Sequence, residues 1–182
     1  EIYNSTYGIL VENSRHVIFL EDYTQEIYNN TYGLYLGGVN NSNFTVDSDF
    51  GSTMIRNNSY NVYLLNSNNN VINETKSFGG KFGIFLDNSD SNTITNNNFS
   101  FYSNVSVNFS VSNSNLFYNN FIDNSSGGSQ NVFDDGTNDY NVSNITIADK
   151  TNIIGGNYFG GNFWCNNTGV DTTGDGLADT TF

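Results

Sequence analysis

Asp171, Thr173, Asp175 and Asp179 fall at positions 1, 3, 5 and 9 of a calcium-loop pattern, with Gly176 at position 6 and the carbonyl of Leu177 available at position 7. Hard oxygen ligands at that spacing suit a structural Ca²⁺. Position 12, which normally supplies a bidentate acid, is Phe182. The same stretch also reads as a Gly-rich turn that folds aromatics onto the end of the chain. Other residues able to do chemistry are few. There is one His, His16, one Met, Met54, and one Cys, Cys165, which has no partner for an internal disulfide. Lys76 and Lys81 flank one turn without an Arg, and read as solvated charges.

Thirteen Asn-x-Ser/Thr acceptors are present, at Asn4, Asn29, Asn40, Asn43, Asn57, Asn73, Asn98, Asn104, Asn108, Asn124, Asn141, Asn144 and Asn166. Asn is 36 of 182 residues and Ser+Thr another 36, so random order of this composition would give about seven. Acceptors in that excess predict covalent N-glycans on a secreted, exposed surface. The chain carries five Lys+Arg against 18 Asp+Glu, a net charge of −13, spread without long runs. That balance argues against nucleic-acid or anionic-membrane partners and reads as a solubilising surface. No apolar stretch is long enough for a membrane span. The chain shows no signal peptide and starts within its pattern, as expected of a mature protein or a fragment.

These residues are positioned by a repeat. Residues 1–8 and 26–33 are identical at seven of eight positions. The segment Tyr32-Gly-Leu-Tyr-Leu36 is echoed by Tyr60-Asn-Val-Tyr-Leu64 and Phe82-Gly-Ile-Phe-Leu86, and a further copy ends at Phe117. Spacings of 25, 28 and 22 residues suit one coil of a stacked solenoid. Apolar residues alternate with period two, so Ile84 and Leu86 point one way and Phe85 the other. Asn-Ser steps mark turns. Asn-Gly is absent, so tight type I′ hairpins are not how the chain turns. Pro is absent too, which suits a backbone engaged in ladders.

The expectation is an all-β parallel β-helix of about seven coils, roughly 30–35 Å long at one strand spacing per coil. Residues 1–124 form the regular coils, and 125–182 form less regular final coils with a Gly/aromatic cap segment, in one domain. Asn at recurring corners is expected to form amide ladders.

Polysaccharide hydrolysis needs two carboxylates roughly 5–9.5 Å apart. Stacking the copies places Asp87 in a column with Glu12, Gly37 and Leu65, and Asp90 with Asn68 and Asn40. No column pairs acids on adjacent coils. Asp47 and Asp49 share a face without a partner, and Asp134-Asp135 falls in a loop. His16 aligns with the corner residue Asn92. No catalytic constellation emerges. One outward column, Tyr35, Tyr63 and Phe85, is either a stabilising aromatic ladder or a contact platform for sugar rings or another subunit.

The Gly-Ile-x-Leu-x-Asn-Ser repeats, the paired Gly-Gly-Asn steps at 155–157 and 160–162, and the closing Asp-x-x-Gly-Asp-Gly-x-x-Asp-Thr run resemble the NosD-like right-handed parallel β-helix family. The resemblance covers residues 7–182 and includes many archaeal and bacterial surface proteins. It implies the fold but no single activity, since the family spans adhesin-like proteins, sugar-processing enzymes and a copper-maturation factor. With one His, one Met and one Cys, the soft ligands that copper prefers are scarce, and the copper role is not carried over.

The function expected is that of an extracellular structural glycoprotein at the cell surface, not an enzyme. Its expected partner is itself or other surface proteins. The repeat opens at residue 1 without a capping helix, which suggests head-to-tail addition into a filament. The alternative is a carbohydrate-binding or polysaccharide-cleaving β-helix.

Overall fold

A computed structural model describes residues 1–21, 26–46, 54–123, 130–138, 152–155 and 161–165. The chain winds through three short strands per turn. The first turn comprises β1 (Ile2–Tyr3), β2 (Tyr7–Glu12) and β3 (Ile18–Glu21), and the second β4 (Glu26–Tyr28), β5 (Tyr32–Gly37) and β6 (Asn43–Val46). The third has β7 (Met54–Arg56), β8 (Tyr60–Leu65) and β9 (Val71–Asn73). The fourth has β10 (Lys76–Phe78), β11 (Phe82–Asp87) and β12 (Thr93–Thr95), and the fifth β13 (Asn98–Ser100), β14 (Val105–Ser110) and β15 (Leu116–Tyr118). Then follow β16 (Phe121–Asp123), β17 (Gln130–Asp134) and β18 (Phe163–Trp164).

Like strands stack into three parallel sheets of seven, six and five members, each ordered by turn. The result is a parallel β-helix. The five-stranded third sheet fixes five complete turns among the described residues, with β16, β17 and β18 adding to the first two sheets. The expected seven is therefore too many: five turns occupy the chain up to Phe121, and beyond it the register advances from Ile122 to Trp164 in a single step of the first sheet, so the later residues do not keep the 22- to 28-residue period.

The alternation read from the sequence sets the core. Leu34, Val62, Ile84 and Val107 form one inward file, and Leu36, Leu64, Leu86 and Phe109 the next. The first sheet adds Ile27, Ile55, Phe99 and Ile122, and the third adds Phe44, Ile72, Ile94 and Phe117. All are buried in one contiguous cluster. Each such side chain contributes about 1.5–3 kcal/mol by leaving water.

In the third, fourth and fifth turns four corners close this core, and they share one pattern: a residue in the left-handed region, then, except at Gly80, a residue whose side chain turns inward. At the first corner the left-handed file is Asn4, Asn29, Asn57, Gly79 and Phe101. At the second it is Asn13, Gly38, Asn66, Asn88 and Val111; at the third His16, Asn41, Asn69, Ser91 and Ser114; at the fourth Glu74, Asn96, Asn119 and Gly161. Asn and Gly occupy left-handed backbone at least cost, which explains their frequency here.

The inward files are the ladders. At the third corner, Oδ1 of Asn92 accepts from the backbone N–H and the Nδ2 of Asn70, at 2.9 and 3.1 Å. The Nδ2 of Asn92 donates back to the carbonyl of Ser67 at 2.9 Å. Asn115 repeats the pattern on Asn92 and Ser89, and Asn138 on Asn115 and Ser112. The fourth corner runs Thr75, Asn97, Asn120 and Asn162 in the same way. The second corner uses hydroxyls: Ser67, Ser89 and Ser112 each accept an N–H from the turn before, at 3.0 Å.

Asn92 is fully buried. Asn92→Ala strips the partners from the Asn70 N–H and the Ser67 carbonyl, and is expected to cost about 2–5 kcal/mol. Asn92→Asp tests the polarity of the ladder. Its new oxygen faces the Ser67 carbonyl and the Asn115 Oδ1, so the folded-state pKa rises above the unfolded value of about 3.9. A raised pKa means the stability is present at low pH and lost as pH rises. The penalty relative to wild type is therefore larger at pH 7 than at pH 4, whereas that of Asn92→Ala stays the same. Denaturant midpoints at the two pH values provide the check.

Candidate functional site

The outer face of the second sheet carries two aromatic files. Tyr7, Tyr32, Tyr60 and Phe82 form one, with ring centroids 5.4, 5.2 and 4.8 Å apart and nearly parallel planes. Tyr35, Tyr63 and Phe85 form the other, at 5.5 and 5.4 Å. Rings of the two files meet edge to face across each strand, as Tyr32–Tyr35 at 5.1 Å and Phe82–Phe85 at 5.2 Å. Both files are possible because each strand carries an extra inward residue between them: Leu34 and Val62 pair in register, but Gly33 and Asn61 do not. The sequence showed the Tyr35 file. The Tyr7 file was equally visible as the Tyr or Phe that opens each copy, followed by Gly8, Gly33, Asn61 or Gly83, but strict alternation would have turned it inward.

This packing decides what the face can do. A sugar ring stacks on an exposed aromatic face. Here each ring covers the face of its neighbour along the file, and the edges meet solvent. The half-buried tyrosines therefore form a stabilising herringbone, and the geometry lends little to a sugar platform.

Tyr63 donates to Oδ2 of Asp87 on the next turn at 2.8 Å. Burial first, then the hydrogen bond and charge of Asp87, raise the Tyr63 phenol well above its ordinary range. Burial likewise raises Tyr102, whose hydroxyl donates to Ser77 at 2.6 Å.

Most described acids are dispersed, but the expectation that no column pairs acids on adjacent turns is corrected at one place. Glu1 and Glu26 directly precede the paired Ile2 and Ile27 and share a column, with Glu1 accepting from the Tyr28 hydroxyl and Glu26 from Arg56. Asp87 pairs with Leu65 below and Ser110 above, and Glu12 with Gly37. Asp90 joins the Asn40–Asn68 file as an acceptor rung, taking the Asn113 N–H at 2.7 Å and donating its own N–H to Asn68. Asp134 closes β17 and does not lie in a loop; it accepts from the Gly136 N–H and the Asn138 Nδ2 at 2.8 Å. No group of three or more His, Cys, Asp or Glu residues able to hold a metal occurs among the described residues. Asp47 and Asp49 lie outside them, as do the calcium candidates Asp171, Thr173, Asp175, Leu177 and Asp179.

One alignment is corrected. His16 shares its file with Asn41, Asn69, Ser91 and Ser114, one position before the Asn92 file. It is exposed in left-handed backbone and takes no part in the inward ladder. Val17 occupies the ladder position of that turn, donating its N–H to Ser42 Oγ at 3.0 Å.

The glycan acceptors divide by environment. Asn4, Asn29, Asn43, Asn57 and Asn104 are exposed. Asn40, Asn73 and Asn98 are half-buried, with their Oδ1 atoms accepting from the Asn68 N–H, the Asn96 Nδ2 and the Ser100 hydroxyl. Asn108 is only 8% exposed, and its Oδ1 is buried without a partner. That site has no room for a saccharide in the folded chain. Asn124, Asn141, Asn144 and Asn166 lie outside the described residues.

With this geometry in hand, the chain matches over residues 1–169 the family described as periplasmic copper-binding protein (NosD). It belongs to that family, as its repeats suggested, and membership places it outside the cytoplasm, in line with the expected surface location. No curated protein and no solved structure matches it.

The family description implies copper, and the donor set here does not fit it. Copper favours imidazole, thiolate and thioether groups. His16 lies at a corner of the first turn, Met54 opens β7 two turns on, and Cys165 follows β18. Met54 and Phe163 share one file four rungs apart, about 19 Å at the ladder spacing. The three soft ligands cannot converge in this fold.

The Tyr63 environment gives a pH test. A phenol whose pKa is raised on folding contributes stability that is complete below the unfolded value of about 10 and is lost as pH climbs above it. Wild-type stability should fall between pH 9 and 11, and Tyr63→Phe should fall less over the same interval. Denaturant midpoints at the two pH values measure the difference; an equal fall would show that Tyr63 ionises freely.

Proposed function

We propose that the chain is a non-enzymatic structural glycoprotein of an extracytoplasmic surface. The observation that carries this is how the polar residues are used. Asn30, Asn58, Asn70, Asn92, Asn97, Asn115 and Asn120 are buried inside ladders, and among the described acids the pair that shares a column on adjacent turns, Glu1 and Glu26, is bonded to Tyr28 and Arg56 on the outer face of the first sheet. The interior polarity holds turns together, and the outer Glu1 and Glu26 are engaged by the Tyr28 hydroxyl and the Arg56 guanidinium. Incubation with neutral and acidic polysaccharides, followed by assay for new reducing ends or unsaturated products, is expected to show none. Cleavage by the pure chain would overturn the reading in favour of a β-helix enzyme.

Head-to-tail assembly is a second reading, favoured by the face of the first turn. Ile2, Tyr3 and Leu10 are 36–50% exposed there, while their counterparts one turn on, Ile27, Tyr28 and Tyr35, are more covered. A turn in the same register, from a second copy or from chain preceding residue 1, would cover them. Negative-stain micrographs of the purified chain should show filaments of uniform width. Isolated rods only a few nanometres long would rule assembly out.

A further inference from the structure

Ten Asn residues occupy left-handed corner positions: Asn4, Asn13, Asn29, Asn41, Asn57, Asn66, Asn69, Asn88, Asn96 and Asn119. An acceptor needs Ser or Thr two residues on. At seven of the ten, the second residue is Arg15, Asn43, Asn68, Val71, Asp90, Asn98 or Phe121. At the other three it is Thr6, Thr31 or Ser59, and these three are Asn4, Asn29 and Asn57, the consecutive members of the first-corner file. Composition alone would scatter acceptors over all four corners.

The first corner is also where the amides are available. Asn4, Asn29 and Asn57 are exposed, and the residue following each, Ser5, Asn30 or Asn58, makes the ladder contacts. The fourth turn interrupts the file with Gly79-Gly80. The fifth carries one more residue here than the fourth, and within it lies the exposed acceptor Asn104, whose N–H donates to the Lys81 carbonyl at 3.2 Å.

We infer that Asn4, Asn29, Asn57 and Asn104 carry N-linked saccharides in single file along one edge of the solenoid. This rests on the glycoprotein reading above and selects among its acceptors. The modification joins each Asn Nδ2 to the anomeric carbon of a saccharide carried on a lipid phosphate or diphosphate donor. The donor's C1–O bond breaks, and the phosphorylated lipid leaves with the amide proton. Adjacent acceptors on the first three turns stand about 4.8 Å apart, so neighbouring first sugars lie in contact and cover that edge continuously.

The test uses the full chain secreted from a host with Asn-linked glycosylation, with enzymatic deglycosylation in ¹⁸O-water and peptide mapping. Label is expected at Asn4, Asn29, Asn57 and Asn104. In a Thr6→Ala/Thr31→Ala/Ser59→Ala variant, which keeps each left-handed Asn and its ladder neighbour, label should disappear from the first three sites while the far-ultraviolet dichroism is unchanged. Glycans confined to Asn40, Asn43 or Asn73 would overturn the edge and leave the glycoprotein reading standing. A chain without glycans at any site would overturn both.

Discussion

The fold depends on one two-residue device, recurring at most of the described corners: a left-handed residue followed by an inward side chain that bonds to the turn before it. A parallel β-helix must bend its backbone sharply several times per turn, and each bend brings N–H and C=O groups inside the wall. Buried without partners, each would cost about 1–3 kcal/mol. An Asn amide solves this twice over, because its oxygen takes an N–H of the previous turn and its nitrogen reaches the carbonyl three residues before that N–H. Asn58 on Ile27, Asn97 on Ile72 and Asn120 on Ile94 repeat the same reach. The ladder therefore both satisfies the corner and fixes the register of one turn on the next.

The device is most informative where it fails. In the fourth turn the ladder position of the first corner is Gly80, which has no side chain to offer Asn58. Asn61 fills the gap from its own turn: its Oδ1 accepts from the Asn58 N–H and Nδ2 at 3.1 and 2.9 Å, and its Nδ2 donates to the Gly79 carbonyl at 3.0 Å. At that strand position the second and fourth turns carry Gly33 and Gly83. A Cβ on Gly33 would meet the Asn58 amide at 2.9 Å, and one on Gly83 would meet the Tyr102 ring at 2.8 Å. Glycine stands where the following turn supplies the side chain, and Asn where the following turn supplies glycine. Val111 shows the strength of the stack in another way. A β-branched residue at φ 48 costs about 1–2 kcal/mol, yet the turns on either side hold it there.

Much of this was legible in the sequence because strand periodicity is strict. The inward Ile84 and Leu86, the outward Tyr35, Tyr63 and Phe85 file, and the Asp87 and Asp90 columns all follow from aligning copies whose strands begin with the same Tyr/Phe step. The corners were harder to read. Alternation breaks at a left-handed residue, so a one-residue offset there is invisible to a period-two argument, and His16 slipped by one place for that reason. The turn count failed for a different cause. The 25- and 28-residue periods differ from the 22-residue one by the number of residues between the third-sheet and first-sheet strands, positions 22–25 and 47–53, while the corresponding stretch after Asn73 is only Glu74 and Thr75. Those insertions alone would still leave room for seven turns; the count is too high because the step from Ile122 to Trp164 takes 42 residues for one rung. The burial of Asn108 was also beyond the sequence, since its column neighbours Phe85 and Phe133 mark it as outward.

A wall built this way separates stability from function. The ladder residues are committed to neighbouring turns, so a substitution there is felt as lost register. The outward positions answer to much weaker constraints. Tyr28 and Arg56 occupy one outer file of the first sheet, where Arg56 lies 4.4 Å over the Tyr28 ring and 2.9 Å from Glu26. Further along that file stand Phe78, Ser100 and Asp123, with no shared chemistry. A family that keeps the corners and varies the outer files can carry a metal site in one member and none in another. In this chain the described outer files hold aromatics, amides and scattered acids, and the soft ligands are too few and too far apart to meet. Membership in the family therefore argues for the scaffold, and the outer residues argue against inheriting the copper chemistry that its description names.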